Sequence, residues 1–249
     1  MHAVARLNTP RARCADCPTR HRAFCASCDI DELAALDRIK SYRTYKPGET
    51  IAWAGKKIGF VGSVVEGVAL LSRTLPDGRR QMVGLLLPSD FLGRPGRDEV
   101  SFDVVAVTTV MFCVFRRTEF ERLVAATPHI GQRLLDMTLD ELDAARKWMF
   151  LLGRKTAREK VASLFVIMAR RDAALSEVDP SGGLRFPFYI TRQAMADYLG
   201  LSIETVSRQI SALRNDGLFE ITDGRTVLVP DFARLIDESG DDADGGVLI

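Results

Sequence analysis

Four of the five cysteines crowd one short stretch near the start, Cys14-Ala-Asp-Cys17-Pro-Thr-Arg-His-Arg-Ala-Phe-Cys25-Ala-Ser-Cys28, and the fifth, Cys113, stands alone in an apolar run far downstream. Thiols at this density end up bridged to one another or bound to metal, so they limit the fold more than any other feature. The surrounding residues lack apolar periodicity, which predicts a loop whose shape is imposed by what the cysteines hold. No run of about 18 apolar residues occurs, and the first residues carry Arg6, Arg11 and Arg13 without an apolar segment or cleavage site. The expectation is therefore a cytoplasmic chain with no membrane span. Disulfides are uncommon in that reducing compartment, so the cysteines read as a metal cage, and four of them as the ligands of an iron–sulfur cluster.

The 249 residues suffice for one large or two ordinary domains. Asp29 to Ile39 predicts a short structural helix with Ile30, Leu33, Leu36 and Ile39 on one face and acids in its first turn, where the helix dipole favours them. From Tyr42 to Arg117 short apolar runs alternate with turn residues such as Pro47-Gly48 and Pro76-Asp77-Gly78, the pattern of an antiparallel barrel or roll. Val104 to Phe115 is its most strand-like segment and places Cys113 near a strand end, with a helix starting near Thr118. Thr127-Pro128 then opens a long helix to about Leu152, stopped by Gly153. Leu135, Leu139, Leu142, Ala145 or Arg146, Met149 and Leu152 recur at three- and four-residue spacing. A seam of that length suits pairing with a second copy, although it can also pack on its own domain.

A second domain starts at the capping box Thr156-Ala157-Arg158-Glu159, and a loop with Pro180, Gly182 and Gly183 leads to a strand over Phe186–Ile190. Thr191 caps one short helix, Gly200 makes a turn, and Ser202 caps another that stops at Gly217, which is a helix-turn-helix. Ala196 and Val206 face the joint between the two helices, while Glu204, Ser207 and Arg208 share the exposed face near the N-terminus of the second, the end that enters a major groove. Arg can grip guanine, Glu can accept from cytosine, and Ser can reach a base or a phosphate. The i, i+4 spacing of Glu204 and Arg208 also allows a plain surface ion pair. Asp223-Gly224-Arg225 forms a tight hairpin whose Arg225 can meet a phosphate, and Asp231 caps a last helix. Arg and Lys crowd residues 154–214, whereas Asp237 to Asp244 is acidic and reads as a solvated tail. Three scattered His with no convergent acid–base set argue against an enzyme.

In that order, a roll, a long helix with an apolar seam and a winged helix-turn-helix resemble the Crp/Fnr family of bacterial transcription regulators. The fold expected is α+β, with a cluster-binding loop at 1–29, a cyclic-nucleotide-binding-like β-roll at 30–127, a dimerisation helix at 128–153, the DNA-binding domain at 154–236 and the acidic tail at 237–249. Glu-x-x-Ser-Arg, here Glu204, Ser207 and Arg208, is similar to the Fnr branch, which reads a TTGAT-type half-site in an inverted repeat. The Cys-x2-Cys-x7-Cys spacing with a further Cys three later is similar to its FnrL-type alphaproteobacterial members.

The resemblance implies a 4Fe-4S cofactor on Cys14, Cys17, Cys25 and Cys113, with Cys28 left over. It also implies oxygen sensing, homodimers through Leu135, Leu139, Leu142, Met149 and Leu152, binding to palindromic double-stranded DNA when oxygen is absent, and RNA polymerase as a partner. Structural zinc on Cys14, Cys17, Cys25 and Cys28 remains open as an alternative. So does a small-molecule effector in the roll, although Phe91 to Glu99 and Ser101 to Val104 lack the paired Gly-Glu and the Arg that hold a cyclic nucleotide's phosphate in the Crp branch.

Overall fold

The computed structural model describes residues 13–179 and 183–241. Arg6 and Arg11, Pro180 and Gly182, and the acidic residues from Asp242 onward lie outside the described residues. The described residues divide into two compact units, one of 13–73 with 84–137 and one of 74–83 with the described residues after 137.

In the first unit, a 3-10 turn at Cys14–Asp16 begins the cysteine loop, and α1 (Ile30–Ile39) closes it. Asp29 and Glu32 form a reciprocal capping box at the start of α1. Leu33 and Leu36 are buried as expected, but Ile30 is 84% exposed, because the first helical residue projects beyond the packed face.

Eight strands follow: β1 (Lys40–Tyr45), β2 (Thr50–Ala52), β3 (Phe60–Glu66), β4 (Ala69–Thr74), β5 (Arg80–Leu86), β6 (Phe91–Leu92), β7 (Asp103–Ala106) and β8 (Val110–Arg116). They form two antiparallel sheets, in the orders β1-β8-β3-β6 and β2-β7-β4-β5. The strand expected over Val104–Phe115 is in fact two strands, one in each sheet. The Thr108 hydroxyl accepts from the Val68 amide at 2.9 Å and donates to the Thr109 carbonyl at 3.1 Å, turning the chain from one sheet to the other. Cys113 consequently sits at the middle of β8 rather than near its end.

Alternation along β8 sorts its side chains. Phe112 and Val114 enter the core between the sheets with Ile51, Val64 and Val104. Cys113 and Phe115 point the other way, into a second cluster with Phe24, Leu36, Phe120 and Ile130. This outer cluster is completed by α2 (Arg117–Ala126) and the first turns of α3 (Pro128–Arg154). Gly153 stays helical within α3 and does not stop it, since it lacks the positive φ of a glycine terminator.

The second unit is built on α4 (Ala157–Leu175), begun by the Thr156/Glu159 capping box. Its Phe165 ring stacks on Phe188 at 4.6 Å and on Phe219 at 4.1 Å. Strand β9 covers Leu184–Pro187, earlier than the expected Phe186–Ile190, because it is the partner of β11 (Thr226–Val229) and pairing stops at Pro187 opposite Thr226. Helices α5 (Arg192–Leu199) and α6 (Ile203–Asn215), strand β10 (Glu220–Thr222) and helix α7 (Phe232–Ser239) complete the unit. The acidic run is not a solvated tail from Asp237 onward. Helix α7 extends through Ser239, Glu238 pairs with Arg158, and Asp241 pairs with Lys155.

Phe24 anchors the cysteine loop in the outer cluster, meeting Phe91, Phe115 and Phe120 edge-on at 5.4, 5.6 and 5.2 Å. Phe24→Ala should cost about 3–5 kcal/mol in the stability of the first unit, measured by denaturant unfolding, while the fold of the second unit is unchanged.

Candidate metal centre and nucleic-acid interface

Cys14, Cys17, Cys25 and Cys113 line one cavity together with Thr19, Phe24, Tyr42 and Ser63. Cys28 does not line it. Local contacts aim two of the loop thiols, Cys14 and Cys17. The Cys14 amide donates to Asp37 at 2.9 Å, and Asp37 in turn pairs with Lys40 at 2.5 Å. The Lys40 ammonium lies 3.7 Å from the Cys14 sulfur. The Cys17 sulfur sits 3.4 Å from the Thr19 hydroxyl, and a turn bonds the Ala23 amide to the Thr19 carbonyl at 3.0 Å. Cys113 comes from the sheet, where it stands opposite Tyr42 on β1 and Ser63 on β3.

All five cysteines are free thiols. Burial, followed by a hydrogen bond to Asp37, pushes the Cys14 thiol up to about 12. Burial also pushes Cys25 up to about 12, helped by the proximity of Cys17 and Cys28. Cys113 rises for the same first reason and then because Cys14 and Cys17 are near. Thiols that hinder one another's ionisation are a poor thiolate set on their own. A bound cation reverses that balance, since coordination deprotonates a thiol outright.

The donor set fits an iron–sulfur cluster on two further counts. Four sulfur donors line one space, the number that holds a 4Fe-4S cluster. The Ser63 hydroxyl, 3% exposed, has no hydrogen-bond partner among the described residues, so a donor is available at the cavity wall for a sulfur acceptor. Ser63, Asp37 and Lys40 were missed from sequence, because none belongs to a spaced motif. Alternation from Val61 and Val65 is the one signal that could have placed Ser63 on the outer face of β3.

In the second unit the two helices meet as expected. Thr191 caps α5 by accepting from the Ala194 amide at 3.1 Å, and Ser202 caps α6 by accepting from the Thr205 amide at 3.2 Å. Gly200 between them takes the left-handed conformation at φ 64°. Ala196 and Val206 are buried at the joint. Glu204 and Arg208 are exposed on α6, Ser207 is half-buried beside them, and no ion pair joins Glu204 to Arg208 among the described residues. The Glu204 carboxyl is held below its usual range by its own backbone amide and the Ser202 hydroxyl, so it is an ionised acceptor. Asp223 and Gly224 take positive φ in the hairpin, leaving Arg225 exposed at the tip.

Among the described residues, helix α3 has an exposed apolar stripe. Leu135 and Leu139 are 51% exposed, Leu142 45% and Met149 72%, with Phe150 at 61% alongside. Leu152 is half-buried, and the buried neighbour is Leu151 instead. Among the described residues, no helix is long and apolar enough to cross a membrane.

Residues 42–127 match the cyclic nucleotide-binding domain family and residues 159–238 the Crp-like helix-turn-helix domain family. The transcriptional activator protein FnrL of Cereibacter sphaeroides is 62% identical over 235 residues, which cover 94% of this chain and 95% of that protein. The nitrogen fixation regulation protein FixK of Bradyrhizobium diazoefficiens is 38% identical over 213 residues, covering 85% and 87% of the two chains. The solved structure of FixK2 from Bradyrhizobium japonicum superposes with a TM-score of 0.72 at 29% identity, covering 82% of this chain and all of that one. The two relatives compared by sequence are regulators rather than enzymes.

Raised thiol values carry a pH signature. Protonated Cys14 and Cys25 support the metal-free fold fully below the ordinary thiol value of 9.0, and that support is lost as pH climbs toward about 12. Alkylation of these two cysteines in reduced, metal-free protein, followed by peptide mass, should lag behind an unfolded control at pH 8 and approach it as the pH passes through that window.

Proposed function

This chain belongs to the Crp/Fnr family of DNA-binding transcription regulators, and we propose that it is an oxygen-responsive member that binds a TTGAT-type inverted repeat as a homodimer when oxygen is absent. The observation that carries this reading is the meeting of three loop thiols with the strand thiol Cys113 in one cavity that Cys28 does not enter. A 4Fe-4S cluster held there would supply an oxygen-labile centre that requires all four thiolates.

The chain's own residues convert ligand capture into a change of shape. Cys14, Cys17 and Cys25 lie on the loop, and Cys113 lies on β8, so joint ligation ties loop to sheet. Phe24 of the same loop packs in the cluster that includes Ile130, Leu134 and Met137 from the first turns of α3. Fixing the loop therefore fixes how α3 leaves the sheet and how it presents Leu135, Leu139, Leu142, Met149 and Leu152 to a second copy. Paired α3 helices would set two copies of α6 on one face of DNA, one helical turn or about 34 Å apart. Arg208, Glu204 and Ser207 would read base edges there, while Thr191, Ser202 and Arg225 would hold phosphates. Releasing the loop from Cys113 weakens the pairing, and a single half-site binds poorly. RNA polymerase is the partner proposed for the DNA-bound dimer, and the cytoplasm is the compartment.

Two variants separate the parts of this account. Under anaerobic conditions Cys113→Ala should sediment largely as a monomer and fail to bind the inverted repeat. A Cys113→Ala protein that dimerises and binds like the parent would contradict the coupling. Arg208→Ala should keep metal and dimer but lose about 1–3 kcal/mol of base discrimination per half-site, measured by anisotropy titration against matched and mismatched DNA.

A further inference from the structure

We infer that Cys28, Glu32 and His129 form a second metal site, distinct from the cavity of the other four cysteines and suited to zinc. The inference rests on the preceding reading in one respect, namely that Cys28 is not a cluster ligand.

The sulfur, carboxylate and imidazole atoms of these three residues lie within 4.8 Å of one another. The three are brought together from separate elements: Cys28 ends the cysteine loop, Glu32 stands in the first turn of α1, and His129 stands in the first turn of α3. Thiolate, imidazole and carboxylate are the donor types that zinc takes, and a three-residue set with an open fourth position is a recurrent arrangement.

An ordinary ion pair explains only part of this grouping. His129 Nε2 does lie 2.6 Å from Glu32 Oε2. It does not account for a thiol that is 4% exposed, takes no hydrogen bond among the described residues and faces both partners. A divalent cation would satisfy the thiol and the carboxylate at once.

The supports that a metal site requires around its ligands are present. The Asp29 amide donates to the Glu32 carboxylate at 2.8 Å, which fixes its rotamer. The Cys28 amide donates to the Cys25 carbonyl at 3.2 Å, which fixes the end of the loop. The His129 side chain is 45% exposed, leaving an approach for the ion and for a water in the fourth position. Zinc here would pin α3 to the loop by a route that does not involve Cys113.

The test uses full-length, anaerobically purified, cluster-loaded protein dialysed against buffered zinc, with zinc and iron counted per chain by mass spectrometry. The parent should take up one zinc beyond its iron. His129→Ala and Cys28→Ser should each weaken zinc uptake by at least about tenfold while keeping the parent's iron. Glu32→Gln retains the helix cap and should weaken zinc without loosening α1. No zinc uptake by the parent, or full uptake by His129→Ala, would overturn the site. Loss of iron from Cys28→Ser would overturn both this site and the ligand set above. A parent without iron whose zinc still depends on His129 would contradict the cluster reading alone.

Discussion

The pairing of β8 between β1 and β3 is the constraint from which the rest of the first unit follows. Register sets Cys113 across from Tyr42 and Ser63, and the two-residue alternation of a strand turns all three toward the cysteine loop. A one-residue slip would send Cys113 into the inter-sheet core beside Val64 and Val104 and bring Phe112 out. That slip is blocked by the size of Phe112 and Phe115, each fully buried on its own face. The aromatic packing that holds the register also holds the loop, because Phe24 rests on Phe115.

The same cluster joins the cysteines to a helix far from them in sequence. Ile130, Leu134 and Met137 of α3 share apolar neighbours with Phe24 and Cys113. Along the same helix Leu135, Leu139, Leu142, Met149 and Phe150 stay exposed. A single copy gains nothing from such a stripe, whereas a second copy laid along it would remove that area from water. In the proposed dimer, geometry at the cysteines would therefore bear on pairing through a few buried side chains.

Much of this was legible in the sequence where local rules dominate. Caps at Thr156, Thr191 and Ser202, the turn at Gly200 and the hairpin at Asp223-Gly224 depend on the hydrogen bonding and φ preferences of single residues. Each appears where its residue type requires. What escaped was set by distant partners. β9 is defined by pairing with β11, the break at Thr108 by a bond to Val68, and the helical Gly153 by the continuity of α3 around it. At the candidate site, the cysteine spacing singled out the thiols, but Ser63, Lys40 and His129 have no spacing to announce them. They become neighbours of the thiols only once the sheet and helices are assembled.

The central claim is that the four thiols of one cavity hold an iron–sulfur cluster. An absorption spectrum of anaerobically purified protein, with iron and sulfide counted per chain, tests it most directly. The account predicts a brown protein with iron and sulfide in equal amounts that bleaches on admission of air. A colourless protein with zinc in place of iron, and with DNA binding indifferent to oxygen, would contradict it.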